Sequence, residues 1–283
     1  MAIENVSDTA RWVAMYRAME SERPDALFHD PFARTLAGEK GDEIVRTLKD
    51  GTSMAWAMIV RTQLFDEIIM AAVSTDGIDL VVNLAAGLDA RPWRLALSPT
   101  LHWVDVDLSE ILRYKLATLG DVEPNCSYEA VEADLTDATA RRELFARLGA
   151  RSKRALVVTE GLLIYLSDAD VGALAADLHA VPAFTRWVID LANPRLLKMM
   201  SRSWGTAVAS GNAPFKFAPP NGTNFFREFG WAERAYHSTM EEAERLDREM
   251  KMMWLWKFIG RFYPARMREE FRRMSGIVVL ERS

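Results

Sequence analysis

Short apolar runs alternate with helical patterns along most of this chain. Runs that suit buried strands occupy seven stretches, near residues 79–85, 101–106, 126–131, 154–160, 185–191, 231–237 and 277–282. The pattern before residue 75 is helical instead. Strands that alternate with helices favour a mainly parallel sheet covered by helices on both faces. The chain is therefore predicted to have an α/β fold, with a doubly wound sheet behind an N-terminal helical region.

A turn of small residues ends the first predicted strand. Residues 80–84 are apolar except for one asparagine, which suits a strand buried on both faces, and Ala85, Ala86 and Gly87 follow. Small residues let the backbone pass close to a ligand, as in sites for nucleotide-like cofactors. The alternative is a tight connection that binds nothing.

Acidic residues end the second predicted strand, about 20 residues after the glycine, which is the spacing at which a carboxylate meets the ribose hydroxyls of a cofactor. Asp107 is the first candidate for this contact and Asp105 is the second. Side chains two residues apart share one face of a strand, so the pattern does not choose between them. The alternative for either acid is a solvated strand end.

Four segments between residues 9 and 166 add a more specific pattern. They are TARWVAMYRAMESERP with FHDPFARTLAG, the Arg61 region with Thr62, Phe65 and Asp66, NLAAGLDARPWRL with WVDVDLSEILRYK, and VTEGLLIYL. In this order they resemble the leucine carboxyl methyltransferase-like family of class I methyltransferases, whose bacterial members include polyketide-type O-methyltransferases. The resemblance implies a seven-stranded Rossmann-like sheet whose last strand is antiparallel. It also implies an enzyme that uses S-adenosyl-L-methionine (SAM) and releases S-adenosyl-L-homocysteine (SAH).

The resemblance assigns cofactor contacts to the first three segments. Arg61 matches the arginine of the family that pairs with the methionine carboxylate of SAM, and Arg17 is a second candidate cation in the first helix. Ala86 and Gly87 match the close backbone approach to the cofactor. A planar guanidinium makes two parallel charged hydrogen bonds to a carboxylate. For Arg61 the alternative is a surface arginine on an amphipathic helix.

Two further contacts follow later strands. Glu160 ends the fourth strand, where a buried carboxylate is costly unless it meets a positive group such as the ammonium of SAM. The alternative is a carboxylate that caps the following turn. Asp134 and Leu135 follow the third strand, where the family holds adenine with a polar group and an aliphatic side chain. Asp134 has the equal alternative of an N-cap for a helix over residues 138–148.

The chain departs from the family pattern at two positions. Ala85 stands where many methyltransferases have glycine, which narrows the space beside the cofactor. Ser109 stands where relatives often have proline at a helix start. Neither change alters the expected fold. Beyond about residue 192 only the general plan matches, so the resemblance assigns neither the acceptor site nor a catalytic residue.

The chemistry of methyl transfer limits the acceptor. Transfer from a sulfonium is an in-line displacement, in which the enzyme aligns the acceptor and excludes water. A carboxylate acceptor needs no general base, and a small carboxylic acid is the expected acceptor. A phenol or an alcohol needs a base, for which the candidates are His237, His102 and Tyr165. A lone histidine on a strand is more often a packed residue.

Aromatic residues between the fifth and sixth strands either floor an apolar acceptor pocket or form the core of a helical cap. They are Trp204, Phe215, Phe217, Phe225 and Phe226. Loop-forming residues in the same stretch suggest a movable lid, namely Gly205, Gly211, Pro219, Pro220 and Gly222. For a later aromatic cluster we weigh internal packing, a dimer interface and a membrane surface: Trp254, Trp256, Phe258 and Phe262.

Composition narrows the class of protein. A net charge of -5 and a pI near 5.6 argue against a general nucleic-acid binder and favour small-molecule partners. Cys126 is the single cysteine, so no intrachain disulfide is expected, and the four histidines lack the spacing of metal ligands. The chain shows neither a signal peptide nor a membrane-spanning run, so we expect a cytoplasmic protein. The oligomeric state stays open.

We interpret residues 1–283 as a single methyltransferase domain. Its expected parts are a helical cap over residues 1–75, a cofactor-binding core over 76–191, and a region over 192–283 with the acceptor site, the lid and the last two strands. Two other functions share these features. An NAD-dependent oxidoreductase shares the strand, the turn and the distal acid, but its glycine fingerprint is incomplete here. A non-catalytic relative would keep the fold and bind at most the cofactor.

Overall fold

The structure is a computed structural model, and it describes residues 6–47, 55–210, 214–250, 253, 260 and 263–283. Seven strands form one sheet: β1 (Leu80–Leu84), β2 (His102–Asp107), β3 (Ser127–Glu132), β4 (Ala155–Thr159), β5 (Phe184–Ala192), β6 (Trp231–Ser238) and β7 (Ser275–Arg282). Their order across the sheet is β3-β2-β1-β4-β5-β7-β6. β7 is antiparallel to both of its neighbours, and the remaining neighbours are parallel. The predicted seven-stranded, mainly parallel sheet with an antiparallel last strand is confirmed.

Helices precede and connect these strands. They are α1 (Val6–Ser21), α2 (Ala33–Thr47), α3 (Ala55–Thr75), α4 (Arg91–Arg94), α5 (Ser109–Leu119), α6 (Ala138–Gly149), α7 (Asp168–His179), α8 (Pro194–Ser210), α9 (Thr239–Arg245) and α10 (Ala265–Arg272). Two 3-10 helices span Leu163–Tyr165 and Gly222–Phe229. The predicted N-terminal helical region corresponds to α1, α2 and α3. None of the described helices has both the length and the apolar character needed to cross a membrane.

Neighbouring residues of β1 pack into different apolar clusters. Val82 belongs to a cluster that contains Phe145 of α6, whereas Val81 belongs to one that contains Phe65 of α3. Successive side chains of a strand point to opposite faces of the sheet, so both faces of β1 are covered by helices. Every residue of β1 is buried. The predicted doubly wound arrangement is therefore confirmed at the centre of the sheet.

The N-terminal helices pack beside the elements that follow β1 and β2. Tyr16 of α1 and Leu36 of α2 share an apolar cluster with Trp93 of α4 and Ile111 of α5. α4 comes soon after the small-residue turn, and α5 comes directly after the acids of β2. This packing brings α1 to the carboxyl ends of the central strands.

The stretch between β5 and β6 differs from the predicted run of loops. Gly205 lies inside α8, so the loop predicted there is wrong, since a single glycine within a long helix costs only about 1 kcal/mol and does not end it. Trp204 lies in the same helix, Pro219 and Pro220 lie in an irregular segment, and Gly222 begins a 3-10 helix.

Several residues singled out from the sequence lie outside the described residues. They are Gly211 and the aromatic cluster Trp254, Trp256, Phe258 and Phe262.

Candidate cofactor and acceptor site

A cavity of about 790 Å³ opens at the carboxyl ends of the parallel strands. Its walls include Ala85 and Gly87 after β1, Asp107 at the end of β2, Glu160 after β4 and Asp190 near the end of β5. Open α/β sheets bind ligands at this edge, where the strand order reverses beside the first strand. The topology therefore gathers at one site residues that are up to about a hundred positions apart in the sequence.

The turn after β1 has a left-handed backbone at two positions. Ala85 and Gly87 both have a φ of 53°, a region that L side chains rarely adopt. A Cβ atom on Gly87 would lie 3.3 Å from the Cβ atom of Ala10 in α1, which is tighter than an ordinary contact. The conformation explains why glycine suits position 85, and it shows that Ala85 carries backbone strain.

The two acids of β2 have different surroundings. Asp107 lines the cavity, and its carboxylate accepts hydrogen bonds from the backbone N–H of Gly87 (2.6 Å) and of Leu108 (2.7 Å). Burial raises the pKa of Asp107, and the neighbouring charge of Asp105 adds to this, although the two N–H donors oppose it. Asp107 is thereby held directly against the glycine turn.

Asp105 is fully buried and is not among the residues that line the cavity. Its carboxylate accepts hydrogen bonds from Lys115 (2.5 Å), the hydroxyl of Tyr128 (2.8 Å), Trp103 (2.8 Å) and Asn83 (3.1 Å). A buried carboxylate needs such partners to offset its lost hydration. Asp105 therefore ties β1, β2, β3 and α5 together, a structural setting that the strand pattern does not reveal.

Arg61 of α3 reaches two acids at the strand ends. Its Nε donates to Glu160 at 3.0 Å, and its Nη1 donates to Asp190 at 3.2 Å. None of the described residues accepts a hydrogen bond from Nη2. The side chain is only 13% exposed, so the alternative of a solvated surface arginine does not describe Arg61.

The two acids that bind Arg61 differ in their pKa. Burial alone would raise the pKa of Glu160, but the charges of Arg91 and Arg61 outweigh it and lower that pKa below its usual value. Burial does raise the pKa of Asp190, since its main partners are one guanidinium and the N–H of Gly161. The site thus holds both carboxylates beside cations, which is the arrangement expected of groups that meet a charged ligand.

Arg91 of α4 holds Glu160 from the other side. It forms ion pairs with Asp66 (2.6 Å), Asp89 (2.6 Å) and Glu160 (2.8 Å). Burial alone would raise the pKa of Asp89, but the charge of Arg91 and of other nearby cations lowers that pKa below its usual value. Sequence reasoning missed Arg91 and Asp190. Of the two, Asp190 had a usable signal, because it lies near the carboxyl end of a parallel strand.

Arg17 of α1 lines the cavity, and two of its three guanidinium nitrogens bind protein groups. Its Nε donates to Asp30 at 2.8 Å, and its Nη2 donates to the carbonyl of Leu88 at 2.6 Å. The first bond gives a role to Asp30, the aspartate of the FHDPFARTLAG segment, and the second holds α1 against the residue after Gly87. Arg17 therefore stabilises the turn after β1 through its hydrogen bond to Leu88.

Asp134 and Leu135 lie away from the lining of the cavity. Asp134 is exposed and accepts hydrogen bonds from the backbone and the hydroxyl of Thr136. The N-cap of α6 is Asp137, which accepts from two backbone N–H groups, so the N-cap alternative for Asp134 is wrong. The helix begins at residue 138 as predicted, and the residue directly before it is Asp137. Leu135 packs against the main core cluster.

The candidate bases are distributed unevenly. His102 is exposed at the start of β2, so it lies at the end of the strand away from the cavity. His237 contacts Glu242. No histidine of the described residues lines the cavity, whereas Tyr165 does. Burial raises the pKa of the Tyr165 phenol, which makes its ionisation at neutral pH harder. 

The predicted pocket aromatics divide between both alternatives. Phe215 and Phe217 line the cavity. Phe225 and Phe226 do not, and Phe226 is fully buried against Trp187 of β5. One part of this segment therefore faces the cavity, and the other part forms core.

Comparisons with known proteins agree with this architecture. Residues 10–179 match the family model described as leucine carboxyl methyltransferase. A protein of Streptomyces coelicolor is 30% identical over 269 residues, which cover 87% of this chain and 89% of that protein. A protein of Parafrankia sp. strain EAN1pec is 35% identical over 188 residues, 63% of this chain and 60% of that protein. Both carry the provisional name S-adenosyl-L-methionine-dependent methyltransferase.

Solved structures share the fold. A protein of Thermobifida fusca, provisionally named a methyltransferase, has a TM-score of 0.62 at 14% identity, with 100% of this chain and 96% of that chain covered. The magnesium protoporphyrin IX methyltransferase of Synechocystis PCC 6803, solved with bound SAH, has a TM-score of 0.50 at 15% identity, with 82% and 86% covered.

The sheet and these likenesses define the class I methyltransferase fold. The family match extends over more than half of the chain, and the Streptomyces relative covers most of it. The chain belongs to the leucine carboxyl methyltransferase family, a family of SAM-dependent methyltransferases. The alignment with the Parafrankia relative spans only 60% of that relative's length. Membership of this family speaks against the alternative of an NAD-dependent oxidoreductase.

Proposed function

We propose that this protein is a SAM-dependent O-methyltransferase that methylates the carboxylate of a small molecule. One observation carries the proposal. The polar groups that SAM requires gather at one end of the cavity, whereas none of the described histidines lines it. A site of this composition suits an acceptor that arrives already ionised.

The charged groups fit SAM in number and type. Arg61 has a free Nη2 among the described residues and suits the methionine carboxylate. Glu160 and Asp190 are acceptors for the ammonium, and Asp107 is an acceptor for the ribose hydroxyls. Gly87 lines the cavity and leaves its backbone open to the cofactor, and a Cβ atom at this position would also lie 3.3 Å from Ala10 of α1.

Other candidates have weaker roles in this proposal. Arg17 supports the turn through Leu88, and Ala86 contributes small size beside Gly87. We assign Asp105 to the structural support of Asp107. An adenine contact by Asp134 and Leu135 requires that the cofactor extend beyond the residues that line the cavity, and titration of Asp134→Ala with SAH tests that contact.

Bound SAM supplies an electrophilic methyl group on a sulfonium. The protein's own part is to hold the cofactor, to orient the acceptor oxygen and to exclude water. A carboxylic acid is ionised at neutral pH, so its oxygen needs no deprotonation. A phenol or an alcohol must lose a proton. Tyr165 is poorly suited to accept it because its pKa is raised, and Asp190 is held by Arg61 and Gly161.

The proposal is tested first by calorimetry and then by activity. Protein stripped of carried-over ligand is titrated with SAM, SAH and NAD in separate experiments. We expect binding of SAM and SAH and none of NAD. Binding of NAD alone would favour the alternative of an NAD-dependent oxidoreductase. Binding of none of the three would indicate a non-catalytic relative.

The activity assay pairs each acceptor acid with the alcohol of the same carbon skeleton. Mass spectrometry of the products distinguishes a methyl ester from a methyl ether. Methyl esters support the proposal. Methyl ethers alone, from protein that binds SAM, would replace it with a hydroxyl methyltransferase.

A further inference from the structure

We propose that the acceptor is a carboxylic acid with a long hydrocarbon chain, such as dodecanoate or hexadecanoate. The inference rests on the proposed function, because it names the acceptor class of the same site. It arises from the half of the cavity that the cofactor contacts leave unused.

Methionine dominates that half of the cavity. Among the described residues, seven methionines line the cavity, and one of them, Met58 of α3, lies one turn before Arg61. The other six come from the chain after β5, namely Met199 and Met200 of α8, Met240 of α9, Met250, Met253 and Met274. Methionine side chains are unbranched, flexible and polarisable, so they adapt to an apolar ligand without a fixed shape. A wall of this type suits a flexible hydrocarbon chain better than one rigid ring system.

Aromatic side chains complete the apolar wall. Phe215 and Phe217 approach from the segment before β6, Phe271 from α10, and Trp12 from α1. Apolar burial contributes about 25 cal/mol per Å², so affinity at such a wall grows with each methylene group of the ligand. We therefore expect the affinity of this site for an acceptor to depend on the length of its hydrocarbon chain.

The acidic groups of the cavity are concentrated at the other end. The acids that line the cavity among the described residues are Asp89, Asp107, Glu160 and Asp190, and all four follow or end the strands of the cofactor side. An acceptor with many hydroxyl or amino groups would place most of them against methionine and aromatic side chains, at a cost of about 1–3 kcal/mol for each group left without a partner. Sugars and amino acids are therefore poor candidates.

Two arginines add positive charge to the methionine side. Arg195 of α8 and Arg268 of α10 both line the cavity and are exposed. The guanidinium of Arg195 lies 4.7 Å from the centre of the Phe271 ring. Its Nη1 lies 3.9 Å from Oε1 of Glu270. None of the described residues forms an ion pair with Arg268. Exposed cations at an apolar entrance attract an anionic acceptor and raise its rate of association.

The acceptor panel tests chain length directly. Purified protein is supplied with SAM and with acetate, octanoate, dodecanoate, hexadecanoate or gluconate, each below its critical micelle concentration. We expect kcat/KM for dodecanoate to exceed that for octanoate by about tenfold or more, because four more methylene groups are buried. Equal rates for octanoate and dodecanoate, or a preference for gluconate, would overturn the inference while the proposed function stood.

Failure of the proposed function has a different signature. It would appear as no methyl ester from any acid, although the protein binds SAH. That result overturns both proposals, whereas faster methylation of polar or short acids than of dodecanoate overturns only the acceptor class. SAH affinity is measured for every variant, so that loss of the cofactor site is not mistaken for loss of the acceptor site.

A matched pair of variants locates the hydrocarbon chain. Met199 is 49% exposed and lines the cavity, whereas Met267 is 38% exposed on α10 and does not. We expect Met199→Glu to raise KM for dodecanoate about tenfold, because the bound hydrocarbon chain would desolvate the new carboxylate, with SAH affinity unchanged. Met267→Glu should leave both values unchanged. The same effect in both variants, or in neither, would contradict the assignment.

The second pair tests the arginines. Arg268 lines the cavity, and Arg266 is an exposed neighbour on the same helix that does not. We expect Arg268→Glu to lower kcat/KM for dodecanoate and to weaken its dependence on ionic strength, whereas Arg266→Glu changes neither. Identical salt dependence in the two variants would exclude Arg268 from acceptor capture.

Discussion

Arg61 and Glu160 stand 99 positions apart in the sequence, and Nε of the arginine donates to Oε1 of the glutamate at 3.0 Å. The bond joins α3 to the residue after β4, and Asp190 binds the same guanidinium. The residues proposed for the carboxylate and the ammonium of SAM, Arg61 and Glu160, therefore contact each other in this structure. Cofactor binding would exchange part of this pairing for contacts to the ligand, and each partner can be tested separately.

Replacement of Arg61 should weaken the cofactor site. We expect Arg61→Ala to cost about 1.5–3 kcal/mol of SAH binding, because a charged hydrogen bond is lost. Arg61→Lys should recover only part of this, since it lacks the planar fork. Calorimetry measures the affinities, with Arg147→Ala of α6 as the exposed control. Full affinity in a folded Arg61→Ala protein would remove the assignment.

Asp105 and Asp107 should separate in a paired experiment. Asp107→Asn should weaken SAH binding with little change in melting temperature. Asp105→Asn should instead lower the free energy of unfolding by about 3–5 kcal/mol, because the fully buried Lys115 loses its charged partner. Thermal melting and titration of both variants give the answer. Reversal of the two results would make Asp105 the ribose ligand.

The strained turn predicts a stabilising change. Ala85 has a φ of 53°, and a left-handed backbone costs an L residue about 1–2 kcal/mol. Glycine removes that strain but adds unfolded-state entropy worth about 0.4–1 kcal/mol. We expect Ala85→Gly to stabilise the protein by about 0.5–1 kcal/mol in chemical denaturation. Ala86→Gly, at a position without a left-handed backbone, should destabilise it.

Glu160 should make stability depend on pH. Its pKa is lowered, since Arg91 and Arg61 outweigh the effect of burial. Such a carboxyl group stabilises the protein above the pKa of the unfolded chain, and the contribution is lost as pH falls through the lower folded pKa. We expect Glu160→Gln to be less stable at pH 7 by about 1.5–3 kcal/mol.

The difference between the two proteins should shrink as the pH falls below about 4.5, the ordinary pKa of glutamate. Denaturation curves at several pH values measure it. A constant difference between pH 7 and pH 3 would show that ionisation of Glu160 does not contribute.

Tyr165 tests the chemistry of the acceptor. Its ring packs against Phe215 at a centroid distance of 5.7 Å, a contact that phenylalanine preserves. If the acceptor is a carboxylate, Tyr165→Phe should keep kcat within about twofold, because no general base is used. Loss of kcat by a hundredfold or more, with unchanged SAH affinity, would instead assign the phenol a proton-transfer role.

Local patterns in the sequence were sufficient for the framework of the sheet. β-branched runs predicted the strands, because a strand buried on both faces must be apolar throughout, and Ala85, Ala86 and Gly87 marked the turn because close approach requires small residues. The family resemblance made Arg61 a candidate, and the cost of a buried carboxylate at a strand end made Glu160 one. The loop predicted at Gly205 was wrong, since a single glycine inside a helix costs only about 1 kcal/mol.

Only the tertiary structure decided which charged groups meet. Asp105 and Asp107 share one strand pattern, yet Lys115 and Tyr128 surround the first, while the second touches the turn. Arg91 has no distinctive spacing, and its ion pairs depend on how α3, α4 and β4 pack together. Sequence determined the strands through local periodicity. Contacts between distant segments set the electrostatics of the site, because charge interactions depend on separation in space and on burial.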